Sequence, residues 1–370
     1  MDSLDNIATP TLILNKERVV KNIGKMAAKV KRSGMRFRPH FKTHQSAEVG
    51  EWFKDFGVGS ITVSSLDMAG YFAQNGWKDI TVAFPVNIRE VDKINQLART
   101  IKLNLLIESL EVVKFLSNHL TSPLQLWLKI DTGYNRTGIS WDLWNAILRT
   151  VEGISQAPSL TFGGILTHSG HTYKVSTKDA VREIYNDTIF KMKQVKERLI
   201  SAGIDYVEIS IGDTPSCSIM EDFGEVDEVR PGNFVFYDVM QLGIGSCTEE
   251  EIAVAVACPV VAKHADRREI VIYGGAVHLS KEFILENDRK IFGKIALPSA
   301  IGWGSIIPDC YVSVISQEHG IVTVSETLFS QINVGDIVMV VPVHSCLTAN
   351  LMRFYNTLQG EKIGTMVSSN

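Results

Sequence analysis

The chain has 370 residues, 45% hydrophobic and 21% charged, with a formal net charge of −4. That length supports two cores, and a mildly acidic balance without a long basic run excludes a nucleic-acid surface as the default reading. There is no apolar run of about 18 residues, so no membrane span is expected, and the opening MDSLDNIATP, acidic and without an apolar core, does not read as a signal peptide.

The first run with strand texture is MRFRPHF (35–41), followed by a helical pattern over 45–56. The alternation then repeats along the chain. SITVSS (60–65) precedes a helix at 66–76, DITVAF (79–84) one at 88–99, and IKLNLLIE (101–108) one at 110–119. LQLWLKID (124–131) precedes 141–151, and LTFGGILTHS (160–169) precedes 180–202. YVEISIG (206–212) and EVRPGNFVF (228–236) complete the series. Eight strand-like runs alternating with helices predict a (β/α)8 barrel over residues 1–240. The rival is a doubly wound open sheet, which rarely needs eight such units.

After about residue 241 the texture changes. EIAVAVACPVVAKHADRREIVIYGG reads as two strands joined by the polar turn HADRRE, and YVSVISQEHGIVTVS repeats the design around QEHG. VGDIVMVVPVHSC adds another apolar strand. These are hairpins rather than βα units, so residues 241–370 are expected to form a separate, mainly-β domain, with the division near QLGIGSC.

In such a barrel the chemistry sits at the carboxyl ends of the strands. Run one ends at His40 and Lys42, run five at Asp131 before TGYNRTG, and run six at His168 before SGHTY. Run seven ends in GDTPS, and run eight carries Arg230 and PGN. Arg38, His40 and Lys42 fall at two-residue spacing, which in an extended segment puts them on one face. Crowding cations around a lysine lowers its pKa, and a free amine there suits Schiff-base chemistry with an aldehyde. The plainer reading of the same stretch is a solvent-exposed basic rim. IGDTPS and RPGN follow consecutive late strands, where glycine allows close backbone approach and successive amides cradle phosphate. Together with the lysine they point to a phosphorylated aldehyde, pyridoxal 5′-phosphate.

VPVHSCL sets His344 and Cys346 two apart after an apolar strand, so both would point the same way if extended. Imidazole and thiolate are both zinc ligands, although an HxC pair alone is a weak metal signal. The remaining cysteines, Cys217, Cys247, Cys258 and Cys310, read as small buried apolar residues. An odd number of cysteines with no CxxC pair fits a reducing cytoplasm.

RPHFKTHQS, LKIDTGYNRTGI, THSGHTY, GDTPS, EVRPGNFVFYD and VPVHSCLTANLM, in order between Thr9 and Met352, resemble the D-threonine aldolase and D-serine dehydratase family. These are fold-type III pyridoxal enzymes, related to alanine racemase in their barrel. The resemblance implies that Lys42 holds pyridoxal 5′-phosphate as a covalent imine, with His40 in the same pocket. Arg136 would contact the ring or its 3′-oxygen, His168 would lie against the ring, and Tyr173 would sit beside it. Gly212, Thr214, Gly232 and Asn233 would hold the phosphate. Arg230 matches the position at which alanine racemases place an arginine on the pyridine nitrogen; whether it or another group does so here is open.

The resemblance also implies a divalent metal at His344 and Cys346. The compared aldolases carry a carboxylate at the second position, which suits Mn2+, whereas the Cys346 thiolate favours Zn2+ and the D-serine dehydratase branch. Two protein ligands leave room for water and substrate. The expected activity is conversion of D-serine to pyruvate and ammonia; the alternative is cleavage of D-threonine to glycine and acetaldehyde, which uses the same residues. The substrate would be a small D-β-hydroxy amino acid, and the assembly a homodimer.

Alanine racemases use a tyrosine from the partner's β domain, and its motif is not found in 241–370, which argues against racemisation. Non-enzymatic pyridoxal-binding proteins are single barrels, which the extra hairpins argue against. A decarboxylase of this fold type would carry a different cysteine and acid signature. YGGAVHLSKE (273–282) resembles a glycine-rich turn of the family's β domain, where His278 either frames substrate or is structural.

Overall fold

The computed structural model describes residues 6–366. Asp2 and Asp5, the acidic pair behind the reading of the N-terminus, lie outside the described residues. Two units separate: one takes Gly24–Lys42 and Gly50–Gly232, the other the chain up to Ile23, Thr43–Val49 and everything from Asn233 onward.

In the first unit the eight expected strands are present: Arg36–Phe37, Ser60–Val63, Asp79–Pro85, Lys102–Ile107, Leu124–Asp131, Leu160–Leu166, Glu208–Ile211 and Glu228–Val229. Each pairs in parallel with its chain neighbour from the second to the eighth, and the eighth pairs in parallel with the first. A parallel bridge between His40 and Thr62 closes the ring between strands one and two. The Phe41 N–H donates to the Thr62 carbonyl and the Thr62 N–H to the Pro39 carbonyl, each at 2.9 Å. The sheet is therefore the predicted barrel, and its strands are near-continuous apolar runs because both faces are buried. Ile61, Val63, Ile80, Leu126, Leu128, Ile165 and Ile209 are wholly buried.

The helices between the strands start where the sequence offers a cap. Ser65, Ser109 and Thr177 each accept the third N–H of the helices Leu66–Gln74, Leu110–His119 and Lys178–Ser201. The pattern read at 88–99 splits into a 3-10 turn, Ile88–Glu90, and a helix, Val91–Ala98.

The first strand corrects an expectation. Its regular strand ends at Phe37, the Arg38 and His40 N–H groups still reach the Val229 and Pro231 carbonyls at 3.0 and 2.8 Å, and residues 41–44 then form a turn. Arg38, His40 and Lys42 therefore do not line one extended face. The Arg38 guanidinium instead donates to Glu228 Oε2 at 2.7 Å and Asp79 Oδ1 at 2.6 Å. Arg36 pairs with Glu208 and Glu228, and Lys102 reaches Asp79 at 3.4 Å. Arg36, Asp79, Lys102, Glu208 and Glu228 are all first residues of their strands, so this ion network closes the amino end of the barrel. The Arg38 charge is balanced there by carboxylates and does not crowd Lys42.

The second unit carries a nine-stranded sheet. Its order is Glu269–Tyr273, His319–Thr323, Tyr311–Ile315, Gly293–Ala296, Ile337–Pro342, Val254–His264, Thr11–Leu14, Phe354–Thr357, Lys362–Gly364. Val254–His264 also pairs with Glu269–Tyr273, so the first six strands close on themselves. Both anticipated hairpins are there, with Val260 opposite Ile272 and Val312 opposite Val322. Elements ahead of residue 35 were not anticipated. Thr11–Leu14 joins this sheet, antiparallel to Val254–His264 and parallel to Phe354–Thr357, and the helix Lys16–Arg32 follows. Among the described residues no helix is long and apolar enough to cross a membrane.

Candidate active site

Lys42 is exposed, in the turn after strand one. The turn is held from both sides. Phe41 is wholly buried, its ring centroid 4.8–5.0 Å from those of Phe53, Phe72 and Trp77. On the other side the His40 N–H donates to the Pro231 carbonyl at 2.8 Å, just ahead of the buried Gly232. His40 Nδ1 accepts the Lys42 N–H at 3.3 Å, so the two expected site residues share one local bond.

His168 follows strand six, and its Nδ1 hydrogen-bonds the Gly212 carbonyl at the end of strand seven. Burial pushes the imidazole well below its ordinary pKa; the charges of Lys42, Lys129 and Arg136 push the same way and the Gly212 bond opposes them. A neutral ring bonded to a carbonyl carries its proton on Nδ1. Tyr173 has its ring centroid 6.2 Å from that of His168. Its hydroxyl accepts the Thr214 N–H at 3.1 Å. Thr214 is wholly buried, and its Oγ1 has no partner among the described residues. A Cβ on Gly212 would stand 2.9 Å from Arg230 Cβ and Arg230 O, so strands seven and eight come this close only through glycine. Arg136 lies exposed over the Tyr134 ring, 5.1 Å from its centroid.

Arg230 is buried, donating from Nε to Ser210 Oγ at 2.8 Å and from Nη2 to the Thr167 carbonyl at 2.7 Å. Burial lowers its pKa to about 10, against the opposing pull of Glu228. The cluster thus holds an exposed amine, a neutral imidazole, a buried guanidinium and a buried hydroxyl without a partner. These groups suit a phosphorylated aromatic aldehyde: an amine to condense with it, cations and a hydroxyl for its anionic groups. The clefts nearest strands three to five, lined by Phe84, Pro85, Val86 and Leu143 among others, are not lined by any of these side chains.

In the second unit His344 and Cys346 come together, but not on an extended segment. The strand stops at Pro342, His344 is the N-cap of the helix Ser345–Met352, and Cys346 lies in its first turn. Burial lowers the His344 pKa, but its hydrogen bond to Cys346 and the charges of Cys346, Asp238 and Glu282 outweigh that and raise it to about 9. An imidazole and a thiol side by side are both ligands of a soft divalent ion, so the donor set fits zinc. Thr43 Oγ1 stands 3.3 Å from Cys346 Sγ, and Asn233 Nδ2 donates to it at 3.5 Å. Asn233 Nδ2 also donates to Asp238 Oδ2 at 2.6 Å and Ser345 Oγ at 3.0 Å. The Asn233 side-chain amide is therefore spent around the thiol, which leaves the backbone role expected of Asn233 at a phosphate untouched. Among the described residues no group of three or more His, Cys, Asp and Glu gathers as a metal site.

The family described as alanine racemase, N-terminal domain, matches residues 14–239, well over half of the chain. The chain belongs to the alanine racemase N-terminal domain family. A second description, putative serine dehydratase domain, matches residues 253–358, which include both His344 and Cys346. D-serine dehydratase of Dictyostelium discoideum is 27% identical, over 97% of this chain and 95% of that protein. D-threo-3-hydroxyaspartate dehydratase of Delftia sp. is also 27% identical, over 97% of this chain and 96% of that protein. A solved cysteine-to-alanine variant of D-threo-3-hydroxyaspartate dehydratase, in the metal-free form, superposes with a TM-score of 0.90 at 25% identity, covering 99% of each chain.

The sequence reading missed two residues here, Lys129 and Asp238. Lys129, 5% exposed on strand five, is pushed well below its ordinary pKa by burial, and then by Arg230 and Arg136. A charged residue inside the apolar run LQLWLKID was a usable signal, since burying an amine is costly. Asp238 caps the helix Val239–Ile244 through the Gln241 N–H and also takes the Ser345 N–H at 3.0 Å. No local pattern sets it apart from an ordinary N-cap. Asp131, the end of run five, builds its own turn, accepting the N–H groups of Gly133 and Asn135 at 2.9 and 3.1 Å. His278 accepts the Gly275 N–H at 3.2 Å within its own turn.

Proposed function

We propose that the chain is a pyridoxal phosphate-dependent lyase of D-β-hydroxy amino acids, aided by a divalent metal, and that its reaction is the dehydration of D-serine to pyruvate and ammonia. The observation that carries this reading is the pairing of His344 and Cys346 at the start of the helix Ser345–Met352, inside the segment that matches the serine dehydratase domain.

Lys42 would hold the cofactor aldehyde, Thr214 and the backbone at Gly212 and Gly232 its phosphate, and His168, Tyr173, Arg136 and Arg230 its ring. When bound, that group withdraws electrons from the substrate Cα. His344 and Cys346 would hold the metal, whose Lewis acidity helps the β-hydroxyl depart. The Lys42 amine, once released, is the base for the proton on Cα. The neutral His168 keeps its one ring proton on the Gly212 carbonyl, so it packs and orients rather than donating. Cys346 in place of a carboxylate supports zinc over manganese. The family resemblance supports a homodimer.

The test is product analysis on a panel of D-β-hydroxy amino acids with zinc or manganese supplied. Keto acid with stoichiometric ammonia from D-serine is the expected outcome. Glycine and an aldehyde from D-threonine would replace the dehydratase with the aldolase.

A further inference from the structure

Glu228, the first residue of strand eight, is wholly buried and lies among three donors. Arg38 Nε reaches its Oε2 at 2.7 Å and Arg36 Nε the same oxygen at 3.3 Å, while Oε1 accepts the Ser210 hydroxyl at 2.7 Å. A hydroxyl has one proton, and Ser210 gives it to Glu228; its oxygen is left to accept, which it does from Arg230 Nε at 2.8 Å. The direction of the chain Arg230→Ser210→Glu228 is therefore set. Arg230 Nη2 donates on the same edge of the guanidinium to the Thr167 carbonyl at 2.7 Å. Two bonds along one edge fix both the plane and the rotation of a rigid fork. Among the described residues Nη1 makes no hydrogen bond, which leaves that edge for a ligand. The ion network at the amino end of the barrel is thus connected to the carboxyl-end site by a single serine hydroxyl.

We propose that Glu228, acting through Ser210, is a positioning residue that fixes the orientation of the Arg230 guanidinium and so what that group offers to the pyridoxal ring. The inference rests on the function proposed above. Arg230 and Glu228 are both buried and are joined through the Ser210 hydroxyl, so the relay is sensitive to the loss of any one of the three.

The measurements are the dissociation constant of pyridoxal phosphate and the absorption maximum of the bound cofactor, neither of which depends on turnover. Ser210→Ala leaves Arg230 Nε without its acceptor and is expected to weaken cofactor binding about tenfold, the worth of one charge-assisted bond, and to move the absorption maximum. Ser210→Thr, which keeps the hydroxyl, restores most of both. In an Arg230→Lys background, Ser210→Ala adds less than about twofold, since the route through Arg230 is already gone. Full additivity in that background, or wild-type affinity and spectrum in Ser210→Ala, overturns the inference. If Ser210→Ala does not fold, Glu228→Gln carries the same two readings, and wild-type values there overturn it too. Loss of folding in both assigns the relay to architecture alone and equally overturns it. A wild-type chain that takes up no pyridoxal phosphate would instead remove the proposed function itself.

Discussion

At the scale of single residues the proposed function singles out Lys42 and Cys346, and burial singles out Asp213. Lys42 is the amine on which the whole reading turns, so Lys42→Ala is expected to yield protein without the yellow colour that borohydride removes from the wild type. A coloured, borohydride-sensitive Lys42→Ala would place the covalent link elsewhere. On the proposed function Cys346 would hold the metal, so Cys346→Asp exchanges a soft donor for a hard one and should move the preference from zinc toward manganese, read as the ratio of activities after metal exchange. Asp213 carries a pH effect on stability. Burial raises its pKa from 3.8 to about 6, against the bonds it accepts from Ser216 and Thr172. Its folded-state pKa lies above the unfolded one, so its contribution is fully present below about pH 4 and lost as the pH rises through about 6. Asp213→Asn keeps the N-cap acceptor without the charge. It should therefore gain on the wild type by up to about 3 kcal/mol between pH 4 and 7, measured as the difference in thermal midpoints.

Among elements, the junction of strands seven and eight matters most to the site. Strand seven ends at Ile211, Gly212 lets Arg230 approach, and Asp213 caps the short helix Thr214–Ile219. Gly212→Ala would drive a methyl to 2.9 Å from the Arg230 backbone and Cβ. The strands must part, at a cost of about 2 kcal/mol, and the His168 ring loses the carbonyl that orients it. Denaturant unfolding should show the lost stability, and titration with pyridoxal phosphate a weaker affinity than that of an alanine placed at an exposed glycine such as Gly203. Equal affinity in the two variants would separate this junction from the cofactor.

For the whole molecule, the barrel unit bears the groups suited to the cofactor and the mainly-β unit the pair suited to the metal. Chelation should therefore abolish turnover while leaving the yellow colour in place, and added zinc should restore the rate. A chelator that bleaches the protein would show that the two functions are not separable.

Much of this was legible from residue order. The eight barrel strands, their parallel alternation with helices, the two hairpins and the strand ends bearing Lys42, His168, Gly212 and Arg230 all follow from local periodicity and from glycine, proline and capping residues. Local rules suffice there, because the period of an apolar run is set by the backbone it folds into. Where the charges go is decided by partners far away in the chain. Arg38 answers to Glu228, 190 residues on, and Asn233 to Ser345, 112 residues on. The extended faces read at residues 36–42 and 344–346 became a turn and a helix start, yet His344 and Cys346 still meet. The short strand Thr11–Leu14 is stable only because Val254–His264 and Phe354–Thr357 flank it. The sequence by itself determined the order of elements and the kinds of groups at their ends. Only the tertiary structure decided which charges are balanced, which imidazole stays neutral and which hydroxyl links two ion clusters, since those depend on burial and distance between segments that no local pattern brings together.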